Sequence, residues 1–321
     1  MQNNLTKKEI DNLYNWAKEY NIKELQTKNR NKLLNIKELT LEADFRDIKS
    51  FSSIPNEVFK LVNLKELNIK SRNLKALPKE IGNLVNLEEL TIGSFHECKF
   101  KNLPVEIGNL TKLKNLEINC DNLEKLPDEI GNLINLERFG MHCDKLTKLP
   151  KCIGNFTKLK SVSIWSKNLK ELPNEIGNLK RLKYFYLWRD NLTKFPKEIG
   201  DLVNLEHFRI YRGYNLREFP QGITNLIKLK HLQLLHCYRI KKIPNEIGNL
   251  INLKSIEIES SALKEIPKEI KKLVNLEDIS IAWGGYAKEL PKEILNGDKL
   301  KNIHVTKISH VYKSVIRKRR K

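Results

Sequence analysis

Residues 77–92 read LPKEIGNLVNLEELTI, and residues 243–258 read IPNEIGNLINLKSIEI. Proline, isoleucine, glycine, asparagine and leucine follow one another in the same order in both. A chain of 321 residues would ordinarily divide into about two domains, but a fixed internal period overrides that prior. All eleven prolines keep one register, at Pro55, Pro78, Pro104, Pro127, Pro150, Pro173, Pro196, Pro220, Pro244, Pro267 and Pro291. Their spacings are 23, 26, 23, 23, 23, 23, 24, 24, 23 and 24 residues. The chain is therefore one structural coil written again and again.

Between the prolines lies the pattern LxxLxL, as in Leu64, Leu67, Ile69; Leu182, Phe185, Leu187; and Leu253, Ile256, Ile258. Twelve such triplets run from Ile36, Leu39, Leu41 to Leu300, Ile303, Val305. The last two apolar positions of each alternate with polar ones, which predicts a short strand with one buried face. The proline opens a short helical turn, where its missing N–H does no harm. A glycine (Gly82, Gly108, Gly131, Gly154, Gly177, Gly200 or Gly248) is expected to let that turn end. A repeat stack needs its ends covered. Thr6 and Glu9 form a capping-box pattern, with Leu5 placed to staple onto Ile10. Ile10, Leu13, Tyr14 and Ala17 then share one face of a predicted helix over residues 6–20. Three segments are expected: a capping helix and lead-in at 1–33, a solenoid of about 12 repeats at 34–308, and a basic tail at 309–321.

The LPxEIGNLxNLxxLxL pattern over residues 34–308 is similar to the leucine-rich repeats of the Ras-suppressor-like class and of many bacterial proteins. The resemblance implies a right-handed α/β solenoid, or horseshoe, with a parallel β-sheet on the concave face and short helical or 3-10 turns on the convex side. It also implies a binding scaffold, with the partner left open. The family usually has asparagine five residues after the second leucine of the triplet. This chain has Arg72, Asp121, Asp144, Lys167, Asp190, Cys237 and Ser261 there. A carboxylate only accepts and a lysine only donates, so the turn ladder is expected to be incomplete and helped by Asn73, Asn122, Asn168 and Asn191.

Parallel strands about 4.8 Å apart align equivalent residues of successive repeats into columns. The column after the third triplet position contains Glu42, Lys70, Gly93, Asn119, His142, Trp165, Trp188, Tyr211, Leu235, Glu259 and Ala282. Between the second and third positions come Glu117, Gly140, Ser163, Tyr186, Arg209, Gln233 and Glu257. Before the second position come Glu38, Glu66, Glu89, Asn115, Arg138, Ser161, Tyr184, His207, His231 and Ser255. Arg189, Arg212 and His236 follow in the next column, beside Ser166, and Trp283 is assigned to the same face. Strand propensity alone would put rings in every repeat, yet the first four triplets carry Glu, Thr, Lys and Asn. Trp, Tyr and Arg are the usual interface anchors, so the central repeats are read as the binding patch. Single-residue insertions between strand and proline add Tyr214, Tyr238 and Tyr286 along one edge.

The sequence has no Walker loop, GxSxG, HExxH or zinc-spaced CxxC pair. No catalytic residue, cofactor or metal is assigned. Five cysteines, odd in number and scattered, speak against a disulfide framework and for a reducing, cytoplasmic compartment. Cys120 and Cys143 occupy one position of adjacent repeats beside His142 and are read as small turn fillers rather than a metal or redox pair. With 59 Lys and Arg against 39 Asp and Glu, the net charge is +20. An acidic protein or peptide partner is the favoured reading. Nucleic acid or another polyanion is an alternative, helped by the terminal RKRRK, and carbohydrate on the ring stripe is a third. The start of the chain lacks an apolar h-region and no window is apolar for 18 residues, so neither a signal peptide nor a membrane span is expected.

Overall fold

The computed structural model describes residues 5–42, 50–93, 98–189, 191–284 and 300–308, the last four of these as backbone. Asp190, Tyr286, the residues at 94–97 and the basic tail at 309–321 lie outside the described residues. Twelve strands follow the twelve triplets: β1 Glu38–Glu42, β2 Glu66–Lys70, β3 Glu89–Gly93, β4 Asn115–Asn119, β5 Arg138–His142, β6 Ser161–Trp165, β7 Tyr184–Trp188, β8 His207–Tyr211, β9 His231–Leu235, β10 Ser255–Ser260, β11 Asp278–Gly284 and β12 Asn302–Ile308. The chain forms two compact units, Met1–Leu159 and Lys160–Lys321, with β1–β5 in the first and β6–β12 in the second. Within each unit the strands are parallel and ordered as in the sequence. This is a leucine-rich repeat solenoid.

The alternation in the triplets becomes alternation of faces. In β7, Phe185 and Leu187 are fully buried while Tyr184, Tyr186 and Trp188 stand on the other side. Each buried leucine or phenylalanine contributes about 1.5–3 kcal/mol, and the same positions are buried in strand after strand. Opposite the sheet each coil from Pro55 to Pro267 makes a five-residue 3-10 turn capped by its proline, as in Lys79–Asn83 after Pro78. The ring fixes φ near −64° and the proline carbonyl accepts the Ile81 N–H at 3.1 Å.

The glycines of these turns have a different job from the expected one. Among the described residues only Gly93 is a glycine with positive φ, so turn termination is not what requires them. A Cβ on Gly108 would lie 2.4 Å from the Glu129 carbonyl oxygen, and one on Gly82 would lie 2.8 Å from that of Glu106. Consecutive 3-10 turns stack backbone against backbone, and glycine is what lets them approach.

A ladder of side-chain amides on the outer loops was not anticipated. Asn63, Asn86, Asn135, Asn204, Asn252 and Asn275 each donate Nδ2–H to a carbonyl of the preceding coil, at 2.7–3.0 Å. Lys112, Lys158 and Lys228 extend it by donating to Asn86, Asn135 and Asn204. The inner turn ladder, by contrast, lies one residue earlier than expected in the regular coils. Ser71, Cys120, Cys143, Ser166 and Ser260 point inward and are almost completely buried there. Ser71 Oγ donates to Phe51 O and Ser260 Oγ to Ile240 O, so small donors serve where a bulky ion could not fit. In the coil after β9, one residue longer, the buried member is Cys237, as expected. Asn122 does reach back, donating to Cys98 O at 2.7 Å.

The cysteine reading needs correction. Cys120 is not merely a small turn filler: it is joined to Cys98 in a disulfide whose Cα atoms are 4.9 Å apart. The three-residue insertion in the coil after β3 hides this relation from a register count. Cys143 is a thiol, pushed up to about 12 by burial. At the N-terminus the cap forms as expected: α1 spans Lys7–Glu19, Glu9 N donates to Thr6 Oγ1 and Thr6 N to Glu9 Oε2. Ile10, Leu13 and Ala17 are buried, and Trp16 and Tyr20 both pack edge-on against Phe51. A short second helix, α2 at Arg30–Leu34, had no clear sequence signal.

Candidate functional site

The parallel register brings the sequence columns together as physical rows across β6–β10. Trp165, Trp188, Tyr211 and Leu235 are in register. So are Tyr184, His207, His231 and Ser255, and between these rows run Tyr186, Arg209, Gln233 and Glu257. Neighbouring strands put these rings at stacking distance.

In the first row Trp165 and Trp188 stack with centroids 5.9 Å apart and planes 12° apart, and Trp188 meets Tyr211 at 5.4 Å. Tyr211 meets His236 edge-on at 5.1 Å. In the second row Tyr184, His207 and His231 stack at 4.8 and 4.5 Å, and His231 Nδ1 shares a hydrogen bond with Ser255 Oγ at 2.7 Å. Burial pulls both imidazoles below their ordinary value, the His231 charge adding to the effect on His207 and that of Lys254 to the effect on His231. Between the rows Arg209 Nε donates to Gln233 Oε1, and Gln233 Nε2 to Glu257 Oε2 at 2.8 Å. The Arg209 guanidinium is 5.6 Å from the Tyr186 ring centre and 5.9 Å from that of Trp188, within cation–π reach. A depression of about 230 Å³ opens among Tyr186, His207, Arg209, His231, Gln233 and Ser255.

Arg189, Arg212 and His236 follow β7, β8 and β9 with φ of 56°, 64° and 54°. An L-residue in this left-handed region costs about 1–2 kcal/mol, and three successive repeats bear that cost. The reason lies in the turn ladder. After β6 the same position is Ser166, fully buried and pointing inward, so the expected column of Ser166 with the arginines splits in two. A guanidinium cannot occupy the space of a serine hydroxyl, and the left-handed conformation turns it out. Arg189 then lies 5.9 Å from the Trp165 ring, and Arg212 lies 5.4 Å from that of Tyr211. The sequence marked these residues only as cations; nothing in it marked the backbone.

Two assignments to this face change. Trp283 is only 6% exposed and pairs in register with the buried Ser260, so it points into the core. It follows the outward Ala282 in β11, and one step along a strand reverses the face. His142 is likewise 5% exposed. In the first unit the acidic positions are met internally: Lys70 binds Glu42 at 2.9 Å, while Lys65 and Lys114 bind Glu88 at 2.7 and 2.6 Å. Hydrogen bonds from Lys114 and Lys65 lower the Glu88 carboxyl to about 2. The edge insertions form a second cluster, where Tyr214 stacks on Tyr238 at 6.0 Å and His236 Nδ1 lies 2.8 Å from both Tyr238 OH and Glu259 Oε2. Beyond it lies a larger hollow of about 950 Å³, rimmed by Arg217, Arg239, Lys241 and Lys242 over Phe219 and Pro244. Its size exceeds that of the depression on the sheet, but its charges sit on loops and no registered rows converge there.

Among the described residues no helix is long and apolar enough to cross a membrane. No curated protein matches the chain. Solved structures do. An internalin (inlF) of Listeria monocytogenes aligns over 87% of this chain and 88% of its own, with 16% identity and a TM-score of 0.52, which supports the fold. A leucine-rich repeat protein of Leptospira interrogans is 25% identical over 87% of this chain and 93% of its own, at a TM-score of 0.36. A plant peptide hormone receptor, RGFR1 in complex with RGF2, is 23% identical over 79% of this chain and 53% of its own, at a TM-score of 0.43. The family model for the leucine-rich repeat region matches residues 94–172 and 167–316. That match spans more than half of the sequence and coincides with the stacked coils, so the chain belongs to the leucine-rich repeat family.

Proposed function

We propose that the protein is a non-enzymatic recognition module that binds an acidic protein or peptide on the outward face of β6–β10. The observation that carries this is the convergence of three registered rows of rings and cations in the same repeats. Trp165, Tyr184, Tyr186, Trp188 and Tyr211 supply broad, stiff contact area at little ordering cost, because each is already held by a ring neighbour. Arg189, Arg209 and Arg212 are each held over a ring, which fixes the guanidinium and leaves N–H edges for a carboxylate. His207, His231, Leu235 and His236 complete the surface. The leucine-rich repeat family is generally composed of binding scaffolds, which agrees with this reading.

Carbohydrate stacking is disfavoured, since Trp165 and Trp188 face each other and guanidiniums cover the neighbouring rings. Polyanion binding predicts a steep loss of affinity with salt and indifference to sequence. The test is selection from a displayed peptide library at two salt concentrations, with the wild type and a Tyr186→Ala/Trp188→Ala variant. Acid-bearing peptides are expected to be enriched by the wild type and to bind the variant at least about 30-fold more weakly, the loss of one hot spot of about 2 kcal/mol. Equal enrichment by both proteins would remove this face from consideration.

A further inference from the structure

We propose that Asp121, His142 and Asp144, in the first unit, bind a divalent transition-metal ion, with Zn²⁺ the best fit to their chemistry. Their ligand atoms all lie within 4.8 Å of one another. His142 Nε2 is 3.6 Å from Asp121 Oδ1. Zn–N and Zn–O bonds of about 2.0–2.2 Å put adjacent tetrahedral donors about 3.3 Å apart, so these two need little adjustment to share one ion. The third ligand requires a side-chain rotation of less than about 1.5 Å to close the set.

The three residues come from two successive coils, Asp121 from the turn after β4, His142 from the last position of β5, and Asp144 from the turn after β5. The backbone fixes both turns against each other: Cys120 N donates to His142 O at 2.8 Å, and Lys145 N to Asp121 O at 3.0 Å. Each turn is also closed on itself, Leu123 N to Cys120 O and Leu146 N to Cys143 O. The ligands therefore stand on ordered backbone, as a metal site requires. His142 and Asp144 are 5% and 7% exposed, and Asp121 leaves the side open from which an ion and its remaining waters would enter.

The donor set selects the ion. One imidazole nitrogen favours Zn²⁺ and its first-row neighbours over Mg²⁺ or Ca²⁺, and two carboxylates balance a 2+ charge so that the buried site becomes neutral. Sulfur is not part of it. Cys120 is held in the disulfide with Cys98, and Cys143 Sγ is turned to the Ile118 carbonyl at 3.7 Å. The residues that converge on His142 are the aspartates that follow Cys120 and Cys143, not the cysteines themselves.

The test is a calorimetric titration of Zn²⁺ into the full chain after chelator treatment, followed by zinc-edge absorption spectroscopy of the one-to-one complex. Saturable binding of one ion is expected, with a nitrogen and oxygen shell free of sulfur. Affinity should fall more than about tenfold in His142→Ala and in Asp121→Asn. It should persist in His207→Ala/His231→Ala, which removes the other histidine group. Circular dichroism is the control for folding of each variant, and the partly exposed Asp121 provides the change least disruptive to packing. Absence of saturable binding, sulfur in the shell, or affinity unchanged in folded His142→Ala and Asp121→Asn would overturn the site.

Discussion

At the scale of the residue, the informative positions are those where backbone and side chain disagree. Arg189, Arg212 and His236 adopt a conformation that favours glycine, in consecutive repeats, where the neighbouring coils use small inward residues. The strain is kept because it moves a large polar group from core to surface. Arg212→Gly should therefore stabilise the protein by about 1 kcal/mol in chemical denaturation while weakening capture of acid-bearing peptides. The N–H of residue 212 donates to Leu235 O in either case. A loss of stability would overturn this expectation and mean that the guanidinium over Tyr211 is worth more than the backbone cost.

At the scale of the element, the coil is set by what must pass close to what. Gly108→Ala would force a Cβ to 2.4 Å from the Glu129 carbonyl, and backbone cannot rotate away as a side chain can. A loss of about 1–3 kcal/mol is expected, read as a lowered denaturation midpoint; an unchanged midpoint would mean that the 3-10 turns slide freely. The sequence made the strands, the prolines and the capping box legible because each is a local pattern of period two or of fixed spacing. The aromatic rows were legible for the same reason, since parallel register turns a repeat position into a neighbour. Other features depend on approach between coils, and no single repeat spells that out. The role of Gly108, the donation from Asn86 to Val62, and the Cys98–Cys120 bridge are of this kind. Trp283 was misplaced because it stands one step beyond the outward Ala282 in β11, and that parity turns its ring to the inner face beside Ser260. The Cys98–Cys120 bridge also removes the cysteine argument for a reducing compartment.

At the scale of the whole molecule, every strand within a unit pairs only with its neighbours in chain order, and the amide ladder likewise links each coil to the one before it. Stability in such a chain is close to a sum of coil and interface contributions. Amide hydrogen exchange should accordingly report different opening free energies for the β2–β4 and β7–β9 amides, where a single cooperative domain would give one common value for its most protected sites. A common value would show that coupling reaches beyond adjacent coils. Lys65, Lys70, Lys114, Lys230 and Lys301 each sit on a carboxylate of an adjacent coil, but such pairs consume both signs equally and leave the excess of +20 in place. The alternation seen in Tyr184–Trp188 has a consequence for descent. Residues that maintain the fold and residues that meet the outside never share a position in these strands. A lineage can therefore exchange every outward letter of β6–β10 for a new set while leaving the leucine grammar intact, so that specificity can drift quickly on an architecture that hardly changes.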